Sequence, residues 1–203
     1  HFAPTERTRD NLLREGFSPE TVHVTGNTVI DALLTIVDRD EPEVSAKWDR
    51  LLIPDRRLII VTAHRRENFG EPFEQICQAL LDLAKKYASS IQIVYPVHPN
   101  PNVKERAYSV LSGMDNIILT EPLDYLPFVH LLNKAYLILT DSGGIQEEAP
   151  SLGLPVLVLR ESTERPEGVE AGTLKIVGTD RRRIVEEASL LLDDPVAYEK
   201  MAA

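Results

Sequence analysis

From residue 57 onward, short apolar runs alternate with longer segments that have the spacing of amphipathic helices. The runs are rich in Val, Ile and Leu and cover residues 58–62, 91–95, 116–119, 136–139, 155–159 and 174–177. Strands that read as continuous apolar runs are typical of a parallel sheet with helices on both faces. The pattern therefore predicts an α/β fold, a doubly wound, Rossmann-like parallel sheet over residues 56–203. Helices are expected at 71–88, 101–111, 124–133 and 144–152 and after the last strand.

Residues 1–55 do not follow this alternation, and we interpret them as connecting helices and a strand that lead into the domain. A first helix is expected to end near Glu15, because Gly16 suits a helix C-terminal cap. A strand and turn at 22–27, a helix at 28–37, a polar linker at 38–44 and a short helix around Trp48 follow. The chain opens with no predicted strand and no initiator methionine. We therefore interpret it as a piece cut from a longer protein.

Polar residues collect in the loops that follow the predicted strands. In doubly wound sheets, ligands bind beyond the carboxyl ends of the strands. Five successive loops contain two histidines, several arginines and a Ser-Gly-Gly turn, and a polyanionic ligand needs such convergent donors. Taken alone, His64 is also explained as a structural imidazole, and Arg65 with Arg66 as a solvated charge pair. The coincidence of all five loops is what predicts a binding site at this edge of the sheet.

The Ser142-Gly143-Gly144 turn joins the apolar run at 136–139 to a segment of helical character. Backbone N–H groups at a helix start have no partner within the helix, and glycines let a phosphate approach them closely. Glu148 lies about one helical turn further on, where its carboxylate is expected to accept hydrogen bonds from a diol such as a ribose. The alternative is a tight turn with glycines for packing and a solvated Glu pair.

Charge and composition exclude several other classes of function. The formal net charge of −10 argues against a nucleic-acid or anionic-membrane surface, since both need a basic face. No apolar run approaches the roughly 20 residues of a membrane span, so a cytoplasmic protein is expected. The single cysteine, Cys77, excludes an intrachain disulfide and is interpreted as a small buried residue. No metal or other cofactor is expected, because there are no paired His or Cys residues at metal-ligand spacing and no dinucleotide-binding glycine motif.

Five segments resemble, in the same order, the motifs of the non-hydrolysing UDP-N-acetylglucosamine 2-epimerases. They are residues 64–68, 98–101, 123–128, 141–148 and 163–167. The resemblance runs over essentially the whole chain but over only the C-terminal portion of the family's protein. Members have two Rossmann-like domains in the arrangement of the B-type glycosyltransferases, with the active site in the cleft between them. The resemblance therefore implies that this chain is one half of that arrangement and lacks the N-terminal domain.

The resemblance also implies a reaction and a set of site residues. The reaction is inversion at C2 of the sugar to give UDP-N-acetylmannosamine, by anti elimination of UDP and its re-addition, as a step of cell-surface polysaccharide biosynthesis. His64 corresponds to a catalytic histidine near the diphosphate. The implied contacts are Leu123 and Phe128 for the uracil segment, Ser142, Gly143 and Gly144 for the diphosphate, Glu148 for the ribose, and Arg165 for the phosphates. Arg65, Glu67 and His98 match positions of a second, regulatory UDP-N-acetylglucosamine site in bacterial members.

The expected partners are UDP-N-acetylglucosamine and UDP, with a homodimer in the full-length protein. The family's acid and base carboxylates are expected in the other domain, so the isolated chain is expected to be inactive. Two alternatives stay open from the sequence. One is the donor-binding half of a B-type glycosyltransferase, which also has a Gly-rich turn and a ribose-binding Glu. The other is a UDP-sugar-binding module without chemistry.

Overall fold

The computed structural model describes residues 1–39 and 41–202, apart from the side chain of Ser45. The chain divides into two compact units, His1–Asp40 and Glu41–Ala203. Part of the linker predicted at 38–44 thus lies outside the described residues. The domain boundary predicted between residues 55 and 56 stays a prediction, but the helix before it packs within the second unit.

The first unit contains two short parallel strands and two helices. β1 (Phe2–Ala3) pairs with β2 (His23–Val24), α1 is Glu6–Arg14 and α2 is Thr28–Val37. The prediction that the chain opens without a strand is therefore wrong, because a two-residue strand is too short to show alternation. Gly16 ends α1 as predicted, with a φ of 91° and its N–H donating to the carbonyl of Leu13 at 3.1 Å.

The second unit is built on one six-stranded sheet in which every pairing is parallel, as predicted. Its strands are β3 (Arg57–Thr62), β4 (Ile91–Pro96), β5 (Ile117–Thr120), β6 (Leu137–Thr140), β7 (Val156–Val158) and β8 (Leu174–Ile176). Their spatial order is β5-β4-β3-β6-β7-β8. The helices are α3 (Pro42–Leu51), α4 (Glu71–Lys86), α5 (Pro101–Leu111), α6 (Tyr125–Leu132), α7 (Ile145–Glu148), α8 (Pro166–Ala171), α9 (Arg181–Asp193) and α10 (Pro195–Met201).

Two hydrophobic cores lie on opposite faces of this sheet. Because successive strand residues point to opposite faces, Ile59 and Val61 pack with α4, α5 and α9, whereas Leu58 and Ile60 pack on the other face. Trp48 of α3 is fully buried in that second core and donates its Nε1–H to the carbonyl of Pro127 at 3.0 Å. Cys77 is buried in the first core as predicted, and burial raises the pKa of its thiol to about 12.

The helix predicted at 144–152 is interrupted. α7 ends at Glu148 and a 3-10 turn, Ala149–Leu152, follows. Pro150 has no N–H to donate to the carbonyl four residues earlier, so regular α-helical bonding cannot continue through it. α8 was not predicted, because its charged, Gly- and Pro-containing segment reads as a loop.

The sheet reverses its winding direction between β3 and β6. The chain runs outward from β3 to β4 and β5, then returns to the other side of β3 to form β6, β7 and β8. At the carboxyl ends of this central pair, the hydroxyls of Thr62 and Thr140 lie 2.5 Å apart. Such a switch point opens a crevice between diverging loops, the usual place for a ligand in this class of sheet.

Candidate functional site

A fully buried carboxylate, Asp141, joins the loops that follow β3 and β6. Its Oδ2 accepts hydrogen bonds from the backbone N–H groups of His64 and Arg65, both at 2.8 Å, and from Nδ2 of Asn68 at 3.1 Å. The sequence predicts no role for Asp141, although it begins the motif segment 141–148. The available signal was an acidic residue at the end of an apolar strand, where a buried charge must find several donors.

His64 lies above this carboxylate and beside a second histidine. Its Nδ1 is 3.6 Å from Oδ1 of Asp141, and its ring stacks on that of His98 with a centroid distance of 5.3 Å and an interplanar angle of 13°. Burial lowers the pKa of His64 and outweighs the raising effect of Asp141, while His98 and Arg65 lower it further. The imidazole is therefore mostly neutral near pH 7, the form that can accept a proton.

The Ser142-Gly143-Gly144 turn leaves backbone donors available. Ser142 donates its N–H to the hydroxyl of Thr140 at 2.9 Å. Among the described residues, no group accepts a hydrogen bond from the N–H of Gly143 or Gly144. Neither glycine has a positive φ, and a Cβ built on Gly144 would meet no atom within 4 Å. Folding thus does not require glycine at position 144. A ligand that approaches its N–H closely would require it, because a side chain there would stand in the way.

Glu148 is only 6% exposed and already has one partner. The hydroxyl of Tyr125 lies 3.1 Å from its Oε1 and donates to it. Burial raises the pKa of Glu148, and the bond from Tyr125 opposes that rise. Tyr125 was not predicted as a site residue, because its contact with α7 depends on how α6 packs. A ribose hydroxyl reaching Glu148 must share or displace this tyrosine.

Arg165 stands at the start of α8 and is tied to α7. Its Nε donates to Oε1 of Glu147, and its backbone N–H donates to the hydroxyl of Thr163 at 3.0 Å. That hydroxyl in turn donates to Oε1 of Gln146. The predicted phosphate-binding arginine is therefore held next to the helix that follows the Ser-Gly-Gly turn.

A pocket of about 240 Å³ opens between these loops. Five predicted site residues line it, namely His64, His98, Leu123, Phe128 and Ser142. The other predicted residues do not line this pocket. They are Arg65, Glu67, Gly143, Gly144, Glu148 and Arg165. Three larger grooves, one between α4 and α5, one between α4 and α9 and one beside β8, contain none of the predicted residues.

Arg65 and Glu67, two of the three residues predicted for a regulatory site, lie on the side of the crevice toward β7. Oε1 of Glu67 accepts from Nε of Arg160 at 2.6 Å, and Nη1 of Arg160 also donates to both oxygens of Glu164. The Nε of Arg65 donates to the carbonyl of Asp141 at 3.2 Å. His98 lines the pocket and stacks on His64, and the regulatory role of the three residues stays a prediction.

Over residues 1–39 and 41–202, no group of three or more His, Cys, Asp or Glu side chains could hold a metal ion. In the same ranges, every helix is too short or too polar to cross a membrane.

Comparisons with known proteins place this geometry in a family. The family model described as UDP-N-acetylglucosamine 2-epimerase matches residues 1–203. A probable UDP-N-acetylglucosamine 2-epimerase of Ralstonia nicotianae is 57% identical, over 100% of this chain and 55% of its own length. The chain thus spans about half the length of the curated relatives it matches.

Two solved structures match over 100% of this chain. The UDP-GlcNAc 2-epimerase of Neisseria meningitidis bound to UDP-GlcNAc is 48% identical with a TM-score of 0.91, and the match covers 55% of that protein. A Staphylococcus aureus protein in complex with UDP is 49% identical with a TM-score of 0.89, and 54% of it is covered.

Proposed function

The chain belongs to the UDP-N-acetylglucosamine 2-epimerase family, and we propose that it forms the UDP-binding half of an enzyme that interconverts UDP-N-acetylglucosamine and UDP-N-acetylmannosamine. The observation that carries the proposal is the Ser-Gly-Gly turn. At the switch point of the sheet it offers two N–H groups to which no described residue provides an acceptor, in a chain whose fold matches relatives bound to UDP and to UDP-GlcNAc.

The proposed binding mode assigns each part of UDP to one group of the crevice. The N–H groups of Gly143 and Gly144, with the hydroxyl of Ser142, donate to the diphosphate. Glu148 accepts from the ribose hydroxyls, and the pocket beside Leu123 and Phe128 receives the uracil. Arg165 adds a positive charge near the phosphates. To reach them, its guanidinium gives up part of its ion pair with Glu147.

The chemistry that we propose is elimination and re-addition of UDP. A base takes the proton from C2 and the C1–O bond breaks, so the electron pair leaves with UDP and a glycal remains. Re-addition of UDP at C1 and return of a proton to the other face of C2 give the epimer. Donors aimed at the diphosphate stabilise the negative charge that develops on it. We propose that the carboxylates for proton transfer belong to the part of the relatives that this chain does not span, with His64 acting near the diphosphate.

The same proposal includes the partners and the setting of the longer protein. We propose a homodimer of the full-length enzyme in the cytoplasm, acting on UDP-N-acetylglucosamine without a cofactor. A regulatory site for a second UDP-N-acetylglucosamine at Arg65, Glu67 and His98 is also proposed, and it rests on the family resemblance alone.

Calorimetric titration of the chain with UDP, UMP and ADP tests the ligand. We expect UDP to bind more tightly than UMP, because only UDP presents a second phosphate to the turn. We expect ADP to bind more weakly than UDP, because the pocket beside Phe128 has to accept the base. Equal affinity for ADP and UDP would refute the uridine specificity, and equal affinity for UMP and UDP would refute the role of the turn.

Substitutions at Glu148 and Arg165 should separate ribose recognition from phosphate recognition. Glu148→Gln should weaken UDP binding about tenfold to a hundredfold, since a hydrogen bond to a charged group contributes about 1.5–3 kcal/mol. It should hardly change the affinity for free pyrophosphate, whereas Arg165→Ala should weaken both. Titrations of each variant with UDP and with pyrophosphate check this. Normal UDP binding by Glu148→Gln would mean that Glu148 serves only its bond with Tyr125.

A further inference from the structure

The two oxygens of the buried Asp141 carboxylate differ in the hydrogen bonds that they accept. Among the described residues, no group donates to Oδ1, although the other oxygen receives three N–H groups. A buried anionic oxygen without a donor is costly, and it calls for an explanation. The Nδ1 of His64 lies 3.6 Å from this oxygen and can supply the donor.

We propose that Asp141 is a positioning residue for His64, which holds the imidazole proton on Nδ1 and leaves Nε2 unprotonated. The distance is longer than a hydrogen bond, but a small rotation of the half-exposed ring brings Nδ1–H into range of Oδ1. Hydrogen bonds at such sites are often long in the ligand-free state. The consequence for catalysis rests on the proposed function, whereas the tautomer itself does not.

The other groups around His64 do not compete for Nδ1–H. The ring of His98, on the loop after β4, is nearly parallel to that of His64, so an in-plane N–H does not point at it. Nδ1 of His98 also accepts from the N–H of Asn100 at 3.1 Å, which leaves its own proton on Nε2. Arg65, the charged neighbour on the same loop, has only donors in its side chain.

The three donors on Oδ2 make Asp141→Asn a decisive variant. The N–H groups of His64 and Arg65 and the amide of Asn68 require an acceptor at that position, so the new amide must keep its oxygen there. Its NH₂ group then replaces Oδ1 and faces Nδ1 of His64 as a donor. Nδ1 has to become an acceptor, and the imidazole proton moves to Nε2.

Asn68→Ala is the matched control. It removes one of the three donors to Oδ2, and also a 3.1 Å bond to the carbonyl of Leu159, but leaves the carboxylate intact. The loop after β3 is loosened in this variant without any change in what faces Nδ1. We therefore expect the wild-type tautomer in Asn68→Ala, which separates positioning by charge from general support of the loop.

Nitrogen-15 NMR of the histidine side chains in the ligand-free chain provides the test. The chain has five histidines, and the spectrum of His64→Gln identifies the resonances of His64. At a pH above its titration midpoint, we expect the proton on Nδ1 in wild type and Asn68→Ala, and on Nε2 in Asp141→Asn. The pKa of His64 should also fall in Asp141→Asn, because the raising effect of the carboxylate is lost.

Two results would overturn the proposal. A proton on Nε2 of His64 in the wild-type chain would do so alone, and this measurement remains decisive if Asp141→Asn does not fold. Retention of the Nδ1 proton in a folded Asp141→Asn chain would also do so. Because no UDP is present, a failure of UDP binding leaves this test unaffected.

Discussion

Incubated with UDP-N-acetylglucosamine in deuterated water, the 203-residue chain is expected to incorporate no deuterium at C2 and to form no mannose-configured product. Under the proposed division of roles, the site holds the leaving diphosphate but lacks the bases that face C2. An open crevice would also leave a glycal exposed to water, and catalysis depends on reacting groups being held in position. NMR and mass spectrometry of the recovered nucleotide sugar measure both outcomes.

Adding the N-terminal part of an epimerase relative, in the same polypeptide or as a second chain, is expected to restore the exchange. In that restored enzyme, His64→Ala should lower the rate by roughly 10²–10⁴, the range typical of a positioned acid or base. His23→Ala, which removes an exposed imidazole from β2, serves as the control and should leave the rate unchanged. Exchange by the 203 residues alone would contradict the proposal and would make His64 the first candidate for the base. No exchange by the restored enzyme would favour a UDP-sugar-binding module.

Gly144→Ala is expected to weaken UDP binding by about a hundredfold or more while leaving the fold intact. The new methyl group would stand where the diphosphate approaches two backbone N–H groups, and each hydrogen bond to a charged group contributes about 1.5–3 kcal/mol. Because the φ of Gly144 is −65° and a Cβ there would meet no atom of the described residues within 4 Å, the substitution should disturb no packing. Replacing glycine by alanine at such a position instead stabilises a fold by about 0.4–1 kcal/mol.

The matched control for that variant is Gly153→Ala. Gly153 has a φ of 69°, and its Cβ would lie 3.3 Å from the carbonyl oxygen of Ala202. An alanine in this left-handed conformation costs about 1–2 kcal/mol, so Tm should fall with unchanged UDP affinity. Thermal denaturation and UDP titration of both variants should therefore give opposite results. Full-strength UDP binding by Gly144→Ala would mean that the diphosphate does not contact this turn.

The sheet could be predicted from sequence because its strands are buried on both faces. Such strands read as continuous apolar runs, and the predicted runs agree with β3–β8 to within one residue at each end. The 3-10 turn at Pro150 and helix α8 were harder to predict, since each depends on a few Pro and Gly residues whose effect varies with packing. The two-residue β1 exists only because β2 pairs with it.

The site was predictable as a list of residues but not as a set of contacts. The loops were found because the carboxyl ends of parallel strands share one edge. The hydrogen bonds that Asp141 accepts from the backbone N–H groups of His64 and Arg65 span more than 70 residues, and no local pattern marks them. The contacts of Glu148 with Tyr125 and of Arg165 with Glu147 likewise depend on how the helices pack. A sequence pattern does not show that these two charged side chains already have partners.

The pairing of β3 with β6 also sets when the crevice can form during folding. Thr62 and Thr140 are 78 residues apart in the chain, and contacts of such separation form late because a long loop must close first. During synthesis, β3, β4 and β5 emerge from the ribosome before β6. The loop that contains His64 therefore cannot bond to Asp141 until β6 has been made. Under the proposed function, nucleotide binding by this chain therefore requires the completed sheet, and a folding intermediate that has only the first three strands should bind no UDP.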